Sequence, residues 1–193
     1  MVQRQLMIYP QDQKALRSKS DAVQSFDQEV KALIQDLKDT LQAHPQGIGL
    51  AAPQINVHKR VVIVRLGLRD QDVEERKPAL ALINPIICQA GDQRRDFDGC
   101  LSFPGLYGET VRPHYLCVSW MNASGEPQKA EFHEFDAVLV HHEIDHLEGV
   151  LFIDRIESRE DLFRIGEDEF GHKMRLPAMG NPLEESQSIR SIR

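Results

Sequence analysis

Between Val23 and Ala43 the apolar residues Phe26, Val30, Leu33, Ile34, Leu37 and Leu41 recur every three or four positions, with Asp, Lys and Gln between them. That period puts them on one stripe of a cylinder, so the segment predicts an N-terminal amphipathic helix whose stripe faces a core. Ser25 followed by Gln28 reads as a capping box at its start. His44-Pro45-Gln46-Gly47 stops it, because Pro lacks the N–H that a helix needs and Gly frees the backbone. Beyond this stop the pattern changes to short β-branched runs at residues 60–66, 79–84 and 86–88, which read as strands. Residues 69–77, charged and without apolar periodicity, read as a solvated hairpin connection. Further on, residues 115–121 and 129–135 flank Asn122-Ala123-Ser124-Gly125-Glu126-Pro127, whose composition predicts the turn of an antiparallel hairpin.

Asp136 then reads as the cap of a second helix, residues 137–147, that ends near Gly149. A last polar helix is expected from Glu157 to Glu169. From Pro177 the chain turns to Pro, Gly, Ser and isolated charges with little to bury, which predicts a mobile tail over 177–193. Helix, then strands, then helix is the order of an α+β fold.

Composition narrows the function. A chain of 193 residues that is 41% hydrophobic and 27% charged is expected to form one folded domain. A formal net charge of -7 argues against a broad grip on nucleic acid, DNA included, because phosphate neutralisation needs clustered Lys and Arg. The first residues reach Pro10 before any apolar block long enough for a signal peptide, and no later stretch is long enough to span a membrane. A cytoplasmic location with no membrane partner is the expectation. Three widely spaced cysteines, Cys88, Cys100 and Cys117, cannot all pair, so at least one thiol is free.

The chemistry is concentrated in His142-Glu143-Ile144-Asp145-His146. Residues four apart share a helix face, so both imidazoles reach one ion, and Glu143 falls where it can handle the protons of a water beside it. His141 points away from that face and is assigned to packing or surface. One known pattern takes its third ligand six residues after the second His, but here that position is Phe152, which has no lone pair to give. The third ligand must come from elsewhere, and Cys100 is the best candidate. It lies between Gly99 and Leu101 in a segment that permits close backbone approach, whereas Cys88 and Cys117 sit in apolar strand-like runs and are expected to be buried core thiols. Such a donor set suits Fe, Zn, Ni or Co. An ion with one open position lowers the pKa of a water from about 15.7 towards 7, which makes a nucleophile available at neutral pH.

Three segments together carry a resemblance. Gly47-Ile48-Gly49-Leu50-Ala51-Ala52-Pro53-Gln54, Gly99-Cys100-Leu101-Ser102 and the His142–His146 motif are similar, in order, to the signature motifs of peptide deformylases. The likeness runs from about Leu6 to Arg164. It implies a catalytic domain over 1–176 in which antiparallel sheets pack around a central metal-binding helix. It also implies one divalent ion per chain, with Fe(II) favoured and Zn, Ni or Co as possible substitutes. The substrate implied is a nascent peptide beginning with N-formylmethionine, which would bring the enzyme transiently near the ribosome.

By the same resemblance, the Gln54 amide and the Leu101 backbone N–H serve the oxyanion, and Gly49 and Ile48 belong to substrate binding. Val138 and Leu139, four and three residues before His142, are placed by helix geometry to line the same pocket. One departure is visible: the family usually has Glu before the Gly-Cys pair, and this chain has Asp98, one methylene shorter, which is expected to affect the substrate pocket rather than the metal. Two other readings share these residues. A metallopeptidase would need a long open cleft and would cut unformylated peptides, and a non-catalytic metal-binding module would hold the ion without turnover.

Overall fold

A computed structural model describes residues 3–67, 78–167 and 172–178. The first long helix, α2 (Gln28–Gln42), follows a single turn, α1 (Gln13–Leu16), and buries Leu33, Ile34, Leu37 and Leu41 as the stripe predicts. Its cap differs from the expected Ser25–Gln28 box. Asp27 accepts from the backbone N–H groups of Glu29 at 2.9 Å and Val30 at 3.3 Å, and the Ser25 hydroxyl donates to that carboxylate at 2.6 Å. A carboxylate satisfies the free N–H groups and complements the positive end of the helix, so Asp displaces Ser from the role.

Two short strands follow, β1 (Gly49–Ala51) and β2 (Val61–Val64), paired antiparallel. All four residues of β2 are fully buried, because the sheet here lies between two helices. Val61 and Ile63 join the cluster built on Leu37 and Leu41 of α2, while Val62 and Val64 face the cluster that holds the second long helix. The expected strands 79–84 and 86–88 are parts of one long strand, β3 (Leu80–Gly99). It is kinked where the register with the next strand shifts between Ile83 and Ile86, and Asn84 absorbs the kink at φ 51°. The Asn84 amide clasps the backbone of Val23, accepting at 2.8 Å and donating at 2.9 Å, so the bulge is held in place. A second register shift follows at Ile87 to Gln89. Cys88, within it, is exposed rather than buried, whereas Cys117 is buried as expected.

β3 pairs along most of its length with β4 (Tyr107–Met121), and β4 forms the expected hairpin with β5 (Pro127–His133). The opposite end of that same β4 edge takes β6 (Leu162–Glu167), through Tyr107–Phe163 and Gly108–Leu162, and β6 pairs in turn with β7 (Lys173–Pro177). The predicted polar helix from Glu157 to Glu169 is therefore not formed. Its first part is a 3₁₀ turn (Arg159–Asp161), and its second is a strand, because a free β4 edge offers backbone partners that outweigh local composition. All pairings between these strands are antiparallel, and the sheet order is β1-β2-β3-β4-β6-β7 with β5 beside β4. The expected connection at 69–77 and most of the expected tail lie outside the described residues.

The second long helix, α3 (Glu134–Leu147), starts three residues earlier than predicted. His133 occupies the cap position, and Asp136 instead accepts from the Gly67 backbone N–H at 2.9 Å. The curled sheet wraps α3, which is buried nearly all the way round, His142, Glu143, Asp145 and His146 included. The N-terminal segment straps two loops together across it: the Met7 N–H donates to the Gln54 carbonyl at 2.8 Å, and the Tyr9 N–H to the Ser102 carbonyl at 2.9 Å. Among the described residues no helix is long and apolar enough to cross a membrane.

Candidate active site

The wrapped helix delivers His142 and His146 on one face, ring centroids 5.0 Å apart, and the end of β3 delivers Cys100 against them. Cys100 Sγ lies 3.3 Å from His146 Nε2, and one donor atom from each of the three residues falls within 4.8 Å of the others. A thiolate with two imidazoles is a donor set for a borderline divalent cation. Among the described residues no other group of three His, Cys, Asp or Glu donors gathers in this way. Glu143 Oε2 is buried with no hydrogen-bond partner, an orphan that a water or substrate at this centre would satisfy. The residues fit a divalent metal site.

Asp98 sets the orientation of His142. Its Oδ1 lies 2.8 Å from His142 Nδ1, while Arg112 NH2 stands at 3.4 Å from the same nitrogen. One nitrogen cannot both donate to the carboxylate and accept from the guanidinium, and the shorter contact decides: Nδ1 carries the proton and Nε2 is left free to coordinate. Asp98 Oδ2 also accepts from Arg112 Nε at 2.7 Å and from the Thr110 hydroxyl at 3.0 Å. Burial alone would raise the Asp98 pKa, but Arg112 and then His142 outweigh it and hold the carboxyl well below the usual range. Asp98 also lines the cleft over this centre, so it stands both at the pocket that the sequence reading assigned it and against a metal-ligating histidine.

Arg112, fully buried on β4, was missed by the sequence reading. It also donates to Asp145 at 2.7 Å, and Asp145 in turn holds Arg155 at 2.7 Å and 3.0 Å. These alternating charges brace the helix that carries the ligands. Asp145 is driven down to about 2: burial opposes the shift, but Arg112 and Arg155 overcome it. Removing the guanidinium would take the shared cation from two buried carboxylates, a change of the kind that costs up to roughly 3–5 kcal/mol. His141, expected at the surface or in packing, sits 2.7 Å from Arg112 NH1. Burial and then the neighbouring guanidinium push it down to about 4, so it is a neutral acceptor in this network.

Burial works against a charge on His142, yet Asp98 and Cys100 raise its pKa well above the ordinary value. Burial and the nearby His142 lower that of His146 well below. For Glu143, burial and then Asp98 push the carboxyl up to about 7, against the pull of His142 and Arg112. A Cβ at Gly49 would land on the Glu143 carboxyl group, so glycine is required there by close approach.

Gln54 is held in one orientation. Its Oε1 accepts from the Ala51 backbone N–H at 2.8 Å, which forces Nε2 towards Ser102 Oγ at 3.1 Å and Cys100 Sγ at 3.4 Å. A cleft of about 580 Å³ opens over this centre. Gly49, Gln54, Cys100, Leu101, His142 and Glu143 line its polar side, and Ile48, Val138 and Leu139 its apolar side, whereas His146 lies behind them and is 1% exposed. Phe97, Tyr107 and Phe135 also line the cleft and were not anticipated. Tyr107 reaches the cleft through its pairing with Gly99 across the β3–β4 hairpin, which the sequence reading did not extend back to this residue.

A family model for polypeptide deformylase matches residues 4–161. The peptide deformylase of Thermomicrobium roseum is 42% identical over 156 residues, which is 80% of this chain and 87% of that protein. The crystal structure of the Thermotoga maritima peptide deformylase superimposes with a TM-score of 0.73 at 31% identity, covering 82% of this chain and 100% of that one. A peptide deformylase of Synechococcus elongatus, in complex with actinonin, gives 0.71 at 37% identity over 80% of this chain and 79% of its own. With a metal site of the same three residue types that the motifs announced and a match across most of its length, the chain belongs to the peptide deformylase family, hydrolases that remove the N-formyl group from peptides.

Proposed function

We infer that this protein deformylates N-formylmethionine at the start of newly made polypeptides, with Cys100, His142 and His146 as ligands of one Fe(II) ion. The observation that carries the reading is the three-donor cluster beside a buried Glu143 carboxylate that has no hydrogen-bond partner of its own. When bound, the ion supplies Lewis acidity to the formyl carbonyl and to the attacking water. Glu143 takes the proton of that water and returns one to the departing amine, a task for a buried carboxyl that lines the cleft. The Gln54 amide, fixed by Ala51, donates to the developing oxyanion together with the Leu101 backbone N–H. Gly49 admits substrate close to Glu143, and Ile48, Val138 and Leu139 hold the methionine side chain. Asp98 keeps the second nitrogen of His142 free for the ion.

The catalytic domain spans residues 1–176, and its substrates place it in the cytoplasm, transiently near the ribosome. Direct docking on RNA through residues 157–169 is disfavoured by their acidic composition. Iron is favoured over zinc, nickel or cobalt by the family resemblance, and a thiolate beside a redox-active ion predicts sensitivity to air. The test is formate release from formyl-Met-Ala-Ser by protein stripped of metal and reloaded anaerobically with Fe(II), Ni(II), Co(II) or Zn(II). The iron and nickel forms are expected to be active, and only the iron form to decay in air. Equal decay of both, with metal retained, would contradict the assignment.

A further inference from the structure

Pairing register sorts the side chains of the β6–β7 hairpin onto two faces. Phe163 with Pro177, Ile165 with Arg175 and Glu167 with Lys173 share one face, and Arg164 with Leu176 and Gly166 with Met174 share the other. On the first face Arg175 is tied to Glu109 and covers Phe163 at 4.2 Å. The second face holds no carboxylate of the hairpin. Arg164, exposed on it, makes no hydrogen bond or ion pair among the described residues, whereas Arg95 holds Asp161 and Glu157, and Arg112 holds Asp98 and Asp145.

The Arg164 guanidinium stands at the rim of the cleft over the metal centre. A Cβ built at Gly105 would lie 3.6 Å from Arg164 Nη1, and Gly105 itself lines the cleft. Gly105 adopts φ 71°, which favours glycine, so no side chain screens the guanidinium from that rim. Leu176, opposite Arg164 on β7, folds over Gly166 instead, where a Cβ would meet its Cδ1 at 2.5 Å. The arginine stem thus has an apolar neighbour while its head stays open at Gly105. Inside the cleft the balance of charge is the reverse: the lining includes the carboxylates of Asp98 and Glu143 and no Lys or Arg, in a chain of formal net charge -7. A substrate with an acidic side chain meets charge of its own sign there, and Arg164 stands where that charge is opposed. Arg164 also lies beyond residues 4–161, which match the family model.

We propose that Arg164 is a specificity-determining residue that pairs with an Asp or Glu side chain carried by the substrate polypeptide one to three residues beyond its formylmethionine. The inference rests on the cleft being the deformylase substrate site. A guanidinium presents parallel N–H donors that match a carboxylate in both geometry and charge, and an amide of the same shape matches neither donor for donor nor in charge. Asp against Asn therefore isolates the interaction at constant volume. Three extended residues span roughly 10 Å, so a scan of those positions carries the carboxylate outwards from the formyl-binding centre.

The test is kcat/KM for formyl-Met-Xaa-Ala-Ala-amide, formyl-Met-Ala-Xaa-Ala-amide and formyl-Met-Ala-Ala-Xaa-amide, with Xaa either Asp or Asn. The terminal amides keep a C-terminal carboxylate out of the comparison. At one of these positions the Asp peptide is expected to exceed its Asn counterpart about threefold at low salt, on the scale of an exposed ion pair, and the ratio falls as salt rises. Arg164→Gln brings that ratio to one or below, and Arg164→Glu drives it further down. Arg175→Gln, altered on the opposite face of the same hairpin, keeps the parent ratio. A parent ratio at or below one at all three positions would overturn the proposal, as would a ratio above one that survives Arg164→Glu or is lost equally in Arg175→Gln. No formate from the Asn peptides with metal-loaded parent would instead overturn the functional reading beneath it.

Discussion

At Asp98 one carboxylate meets three donors, His142, Arg112 and Thr110, and the metal ligand is the one it constrains. Asp98→Asn keeps the volume but loses the charge that fixes the His142 tautomer. It should weaken the ion by about 10–100-fold, the range for partners that orient a ligand, as read by chelator competition. Under the proposed mechanism Gln54 contributes differently, as a donor aimed where the oxyanion would form. Gln54→Leu should lower kcat about 10²–10³-fold while metal content stays full, which steady-state kinetics and metal analysis check together. The histidine pair and Glu143 were legible in the sequence because helix geometry alone fixes residues four apart. The contacts of Asp98 and the presence of Arg112 were not, since both depend on which residues of β3 and β4 pair, and no local pattern encodes that register.

Among the elements, α2 and the β4–β5 hairpin were legible from period and turn composition, and their ends less so. The box expected at Ser25 and Gln28 is replaced by Asp27, because the helix starts at Gln28 and its free N–H groups are those of Glu29 and Val30. Hydrogen bonding to Ser25 and to the backbone lowers the Asp27 pKa below 3.8. A depressed folded pKa means that the cap's contribution is complete above the unfolded value and is lost as pH falls through the folded one. Asp27→Ala should therefore lower Tm at neutral pH, with the gap to the parent narrowing below about pH 4, as thermal melts across pH would show. The segment after Glu157 was misread for a reason of scale: its composition is polar, but the free β4 edge at Tyr107 and Gly108 is invisible from within the segment. Cys88 was misread likewise, because the register shift beside it changes which face it occupies.

For the whole molecule, the fold brings one centre together from segments far apart in sequence. The strap at Met7 and Tyr9 ties the loop of Gln54 to that of Ser102, and the curled sheet encloses α3 so that its polar residues face inward. The α+β class followed from element order, and the metal site followed from motifs, but the cleft walls contributed by Phe97, Tyr107 and Phe135 required the assembled sheet. The central claim is that the enclosed carboxylate performs the proton transfers while the three ligands hold the ion. Its most direct measurement is formate release from formyl-Met-Ala-Ser by the parent and by Glu143→Gln, both purified anaerobically with metal content recorded. The account predicts equal metal in the two and turnover only in the parent, with a loss of at least about 10²-fold in the variant. Comparable turnover in a fully loaded variant, or no formate from a fully loaded parent, would contradict it.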